Sequence, residues 1–220
     1  MTLRKAGRGG RWPPWLSGEP AAASLAPEFF TRPVDQVARA LLGARLVSTV
    51  GGVRTVGVVV ETEAYGGADD PASHAATRIG RTRRNGSMFG PPGHAYVYRS
   101  YGMHWCVNVV TGVSGDPQAV LLRGVEPLEG EEAMARRRNN RLPTAAGPGR
   151  LCEALGIDGS LDGHDLSAPP LCLEAGWAVP AAQVSASGRV GVKMAAERLL
   201  RFFVVGSSGV SRTFHRTEIA

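Results

Sequence analysis

The sequence predicts a mixed α/β single domain: a curved, mainly antiparallel sheet with a protruding β-hairpin, flanked by short helices. Three observations lead there. The chain has 220 residues, 43% of them hydrophobic, which suits one domain with a proper core. Apolar and polar residues alternate in several short runs divided by glycine and proline turns. One stretch, HAYVYRSYGMHWCVNVVTG, reads as two strands meeting at Tyr101-Gly102.

The elements follow in chain order. Residues 1–27 read as a loosely ordered arm rich in Arg, Gly, Pro and Ala, and residues 28–220 as the domain. PVDQVARALLG places Val34, Val37, Ala38, Leu41 and Leu42 on one helical face, with Gly43 as a C-cap. ARLVSTV is a strand, GG a turn and RTVGVVVETEAY its partner. A long loop region comes next, with a short helix expected near DDPASHAA. The hairpin strands precede a further strand, AVLLRGVEP, and two helices, EGEEAMARRR and GPGRLCEALGI. The last third offers short strands and turns, among them RVGV and RFFVVG.

Composition bounds the function. No run of 18 apolar residues occurs, so no membrane span is expected, and the basic start lacks the apolar segment of a secretory signal. Cys106, Cys152 and Cys172 are odd in number and far apart, which fits a reducing compartment, and the expected location is the cytoplasm. The net charge is +6, carried by 23 arginines and only two lysines, Lys5 and Lys193. Two arginine clusters stand out: RIGRTRRN, with Arg78, Arg81, Arg83 and Arg84, and ARRRNNR, with Arg136, Arg137, Arg138 and Arg141. A guanidinium offers paired donors to phosphate oxygens, but such a cluster also reads as a solvated basic face. The second equally suits the C-terminal end of a helix dipole.

Several chemistries lack their residues. There is no GxSxG, no GxxxxGK[ST] and no HExxH. Asp69, Asp70 and His74 read as solvated or capping groups rather than metal ligands, so neither metal nor cofactor is expected. What remains is ETEAY at the end of an apolar strand, where alternation puts Glu61, Glu63 and Tyr65 on one face. A carboxylate there is placed for general-base work. Arg123, ending AVLLR, could hold a carboxylate or an anion; a buried structural ion pair with Glu63 is the plainer alternative.

ETEAY, His74, RNGSMF, YVYRSYGMHWCVN, VLLR, VEPLEG, GPGRLCEALGI and RVGV, in this order, resemble the alkyladenine (3-methyladenine) DNA glycosylase family, in a bacterial member. The resemblance runs from about Phe29 to near the C-terminus. It implies a monofunctional enzyme, without lyase activity, that flips alkylated or deaminated purines out of double-stranded DNA and hydrolyses the N-glycosidic bond as a monomer. By resemblance, Glu63 is the base that activates water, Arg123 helps hold it, and the Val190 carbonyl touches that water. Tyr65, His74 and Tyr98 enclose the extruded base, and Asn108 crowds a guanine's amine. Tyr101 enters the minor groove to fill the gap, supported by Met103. With DNA as the implied partner, Arg78, Arg81, Arg83 and Arg84 are expected on phosphates. A non-catalytic minor-groove protein that recognises distorted duplex would share the arginines and the wedge, but would gain nothing from Glu63.

Overall fold

The computed structural model describes residue 16 and residues 19–20, 23–67, 69–73 and 80–211. Its frame is one curled antiparallel half-barrel sheet with a few short helices. The strands are β1 (Arg45–Ser48), β2 (Thr55–Tyr65), β3 (Ala95–Ser100), β4 (His104–Thr111), β5 (Gln118–Glu129), β6 (Leu171–Glu174), β7 (Val184–Ser187) and β8 (Arg201–Val204). They lie in the order β3-β4-β5-β2-β1-β6, and β8 joins the far end of β2 with β7 beside it. The helices are α1 (Pro27–Phe30), α2 (Val34–Ala40), α3 (Glu131–Arg137) and α4 (Pro148–Leu155).

β2 is the axis because TVGVVVETEAY can be buried on both sides, and ten of its eleven residues are buried. One sheet face carries the main core: Val58, Val60, Val97, Val107, Val109, Val120 and Leu122 pack with Val37, Ala38 and Leu41 around α2. α4 adds Leu151, Ala154 and Leu155, the apolar stripe that its sequence spacing sets up. The opposite face holds a smaller cluster, Met88, Tyr96, Val110 and Ala119, with Phe89 and Tyr98 at its rim.

The β3–β4 connection is a tight turn. The Met103 N–H donates to the Ser100 carbonyl at 2.9 Å, and Tyr101 and Gly102 both have positive φ, 49° and 69°. Positive φ at both central positions of a turn favours Asn or Gly there. A tyrosine in the left-handed region costs about 1–2 kcal/mol. Its ring is 89% exposed, so no packing within the described residues offsets that cost.

Two expectations are corrected. RVGV is not a strand: Val190 and Gly191 form a turn, with Gly191 at φ 76°. The described part of DDPASHAA, residues 69–73, is a pair of turns and not helix. The second arginine cluster turns out to be largely structural. Arg137 donates to the carbonyls of Val50 (2.8 Å) and Ala154 (3.1 Å), and Arg138 pairs with Glu153 while only 5% exposed. Arg136 is exposed and lies 3.8 Å from Glu132 one turn earlier on α3. No helix among the described residues is long and apolar enough to cross a membrane.

Candidate active site

Strand register brings distant residues into one row. Tyr96 on β3 faces Asn108 on β4, which faces Leu121 on β5, which faces Glu63 on β2, which faces Arg201 on β8. Directly opposite residues of antiparallel strands share a sheet face. Adding the residues two positions along places Tyr98, Cys106, Arg123, Glu61 and Tyr65 on that same face. A β-bulge between Glu61 and Thr62 leaves Arg123 as the extra residue on β5, since Gly124 pairs with Glu61 and Leu122 with Thr62. Bulges re-aim side chains, and here the guanidinium lands between the two acids.

Glu63 is fully buried. Its Oε1 accepts the backbone N–H of Val190 at 2.7 Å. Its Oε2 accepts the hydroxyl of Tyr65 at 2.9 Å and NH1 of Arg123 at 3.3 Å. All three partners are donors to the carboxylate. Burial, then the charge of Glu63, push the Tyr65 phenol well above its ordinary range, so it stays a neutral donor. Arg123 is buried too; burial alone would lower its pKa, but the two glutamates outweigh that and raise it.

The tyrosines are backed from behind. The guanidinium of Arg189 sits 4.8 Å from the ring centroid of Tyr65. Arg189 is fastened by two N–H groups to Asp70, at 2.5 and 2.8 Å, and by one to the Ala64 carbonyl at 2.9 Å. Asp70 also accepts the N–H groups of Gly66 and Ala72, which shapes the loop leaving β2. Burial would raise Asp70, but Arg189 and these amides hold it below its ordinary range. On the other wall, Tyr96 stacks on Tyr98 with centroids 5.3 Å apart and planes 26° apart. Burial raises both phenols, Tyr96 to about 12. Asn108 is fixed by its Nδ2, which donates to the Tyr96 carbonyl at 3.0 Å.

The residues named from the sequence divide as follows. Glu63, Arg123, Val190 and Tyr65 are in direct contact, and Tyr98 and Asn108 share their face. The Val190 N–H donates to Glu63 Oε1. Tyr101 and Met103 are 89% and 65% exposed at the hairpin end. Arg81, Arg83 and Arg84 are all exposed, and Arg84 also donates to the Arg99 carbonyl of the hairpin at 2.5 Å. His74 and Arg78 lie outside the described residues. Arg189, Arg201 and Ser211 were not foreseen. Arg189 stood beside Val190 in RVGV and Arg201 opened RFFV, but nothing local marked either as part of a site.

Comparison with known proteins supplies the class first: over residues 28–208 the chain matches the model of a DNA glycosylase family, described as methylpurine-DNA glycosylase (MPG). The chain belongs to the methylpurine-DNA glycosylase family. A relative from Agrobacterium fabrum, named "Putative 3-methyladenine DNA glycosylase", is 47% identical over 197 residues, covering 87% of this chain and 96% of the relative. Relatives of the same name from Granulibacter bethesdensis and Methanoculleus marisnigri are 50% and 45% identical; these matches cover 83% and 86% of this chain, and 85% and 99% of those proteins.

Proposed function

We propose that this protein acts as a monomer on duplex DNA, extrudes an alkylated or deaminated purine and hydrolyses its N-glycosidic bond, leaving an abasic site. The observation that carries this reading is Glu63: a buried carboxylate held by three donors, on the same sheet face as the half-buried rings of Tyr65 and Tyr98.

Flipping costs a few kcal/mol, least for a damaged pair, and the exposed ring of Tyr101 takes the vacated place in the stack. The purine lies against Tyr65 and Tyr98, whose outer supports, Arg189 and Tyr96, keep the rings in place. A water oxygen attacks C1′ as the C1′–N bond breaks. The bonding pair leaves with the base, and the water's proton passes to Glu63. The carboxylate also offsets the positive charge that develops on the sugar. Arg123 holds Glu63 in place.

The test is a duplex oligonucleotide with one alkylated purine or hypoxanthine, incubated with the protein and a chelator. Free base and an alkali-labile site are expected; no release across a panel of such lesions sinks the enzyme reading. Glu63→Gln should bind the same duplex yet cut about 10²–10⁴-fold more slowly. Undiminished cutting removes Glu63 from the base role.

A further inference from the structure

Glu63 is not the most heavily held acid on its face. Glu61, two residues earlier and equally buried, takes four hydrogen bonds. Its Oε1 accepts from Arg123 Nε (2.9 Å), Arg201 Nε (2.7 Å) and Ser211 Oγ (2.8 Å), and its Oε2 accepts the Ser211 N–H at 2.6 Å. Burial raises Glu61, but Arg123, the Ser211 amide and Arg201 together hold it below its ordinary range. Three of these four bonds converge on Oε1, so the carboxylate is fixed in place by its partners.

The arrangement fixes how much of Arg123 reaches Glu63. Its Nε is taken by Glu61, and its NH2 donates to Ser211 Oγ at 3.3 Å. Of the N–H groups that remain, one on NH1 donates to Glu63, through a 3.3 Å bond. Arg201 in turn is anchored by Ser187 Oγ (3.1 Å), by the Ser211 carbonyl (3.2 Å) and by stacking on Phe203 at 4.6 Å. Without Glu61 the fork of Arg123 is free to bind Glu63 with two N–H groups, the strongest form of this pair. A carboxylate so bound is a weaker base.

We propose that Glu61 is a positioning residue for base excision: with Arg201 and Ser211 it ties down one edge of Arg123, so that this guanidinium meets Glu63 through NH1 alone. This rests on the reading of Glu63 as the base. The charged and titratable groups around Glu63 are Arg123 from β5, Arg201 from β8, Tyr98 from β3, Cys106 from β4, Arg189 from the turn before Val190, and Tyr65 and Glu61 on its own strand. Any change in its proton affinity is read against this set.

The experiment is single-turnover excision of hypoxanthine from a duplex as a function of pH. Glu61→Gln should lower the plateau rate at least about tenfold and move the acidic limb to lower pH, because Glu63 then gives up its charge less readily. Arg201→Met should move the limb the other way, since Glu61 then draws Arg123 toward itself. In an Arg123→Met background, adding Glu61→Gln should change nothing further. A Glu61→Gln protein that melts earlier but keeps the wild-type profile overturns the proposal, as does a shift that survives intact in Arg123→Met. Should Glu61→Gln fail to fold, Ser211→Ala frees NH2 of Arg123 and gives a smaller shift in the same direction; no shift overturns the proposal. Wild-type cutting by Glu63→Gln identifies a failure of the base assignment itself, whereas loss of cutting there with an unmoved Glu61→Gln profile rejects only the positioning role.

Discussion

The guanidinium of Arg189 stacks on the ring of Tyr65, 4.8 Å from its centroid, although the two residues are 124 positions apart in the chain. The next residue, Val190, gives its N–H to Glu63. One short turn therefore braces a wall of the site and its acid together. Arg189→Met keeps the apolar stem but leaves Asp70 unpaired, with side-chain exposures of 0% and 3% in the native pair. Breaking such a pair costs about 3–5 kcal/mol. Urea unfolding should show that loss, and excision should fall with it even at temperatures where the variant is folded. Wild-type stability would mean that Asp70 finds another partner.

Tyr101→Gly should separate stability from function. The substitution removes the cost of a bulky residue at φ 49° and leaves Gly102 to complete the turn. Melting temperature should rise by the equivalent of about 1 kcal/mol. Excision of a paired lesion should drop, and excision of a lesion already unstacked opposite a gap should drop far less. A variant that is more stable and cuts both substrates as well as wild type would take Tyr101 out of the wedge role.

Part of this face was legible in the residues themselves, the family resemblance supplied the proposed roles, and what neither reached has a common physical cause. The turn at Tyr101-Gly102 and the shared face of Glu61, Glu63 and Tyr65 could be found because turn chemistry and alternation act within a few residues, whereas the choice of Glu63 as the base came from the resemblance. The row Tyr96, Asn108, Leu121, Glu63 and Arg201 depends on the order β3-β4-β5-β2-β8, which no local pattern encodes. Arg123 does meet Glu63, as the plainer ion-pair reading had it, but its shorter bond is to Glu61. A bulge decides that, and a bulge is a property of two paired strands. RVGV alternates as a strand should, yet Gly191 turns the chain, and the turn is what delivers Val190. Ser211 carried no signal because its role comes from a close approach between backbones.

Acid should unfold this protein through two buried carboxylates. Glu61 and Asp70 both lie below their ordinary values of 4.5 and 3.8, for which burial works upward and their arginines and amides work harder downward. A depressed folded-state pKa adds stability that is complete above the ordinary value and is lost as pH falls through the folded one. Unfolding free energy should therefore hold steady from neutrality to about pH 5 and decline below the ordinary carboxylate range. Glu61→Gln should lower stability at neutral pH and flatten the acidic decline, because its proton linkage is gone. An equally steep decline in that variant would assign the acid sensitivity elsewhere.

Gly124 is where backbone crowding and the site meet. A Cβ on Gly124 would lie 2.0 Å from the carbonyl oxygen of Gly209, and one on Gly209 would lie 2.6 Å from that of Val125. Both glycines are needed for residues 206–211 to cross β5 at contact distance and bring Ser211 onto Glu61. Gly124→Ala forces that segment outward, since a carbonyl fixed in the backbone cannot rotate away as a side chain would. Overpacking of this kind costs about 1–3 kcal/mol or more. The displaced Ser211 also releases Arg123 NH2, so excision should slow beyond what the loss of folded protein explains. Gly86→Ala is the control: nothing lies within 4 Å of a Cβ there and its φ is not positive, so stability and excision should stay near wild type. If Gly124→Ala loses stability but cuts at the wild-type rate per folded molecule, the crossing segment holds the fold together without setting the chemistry.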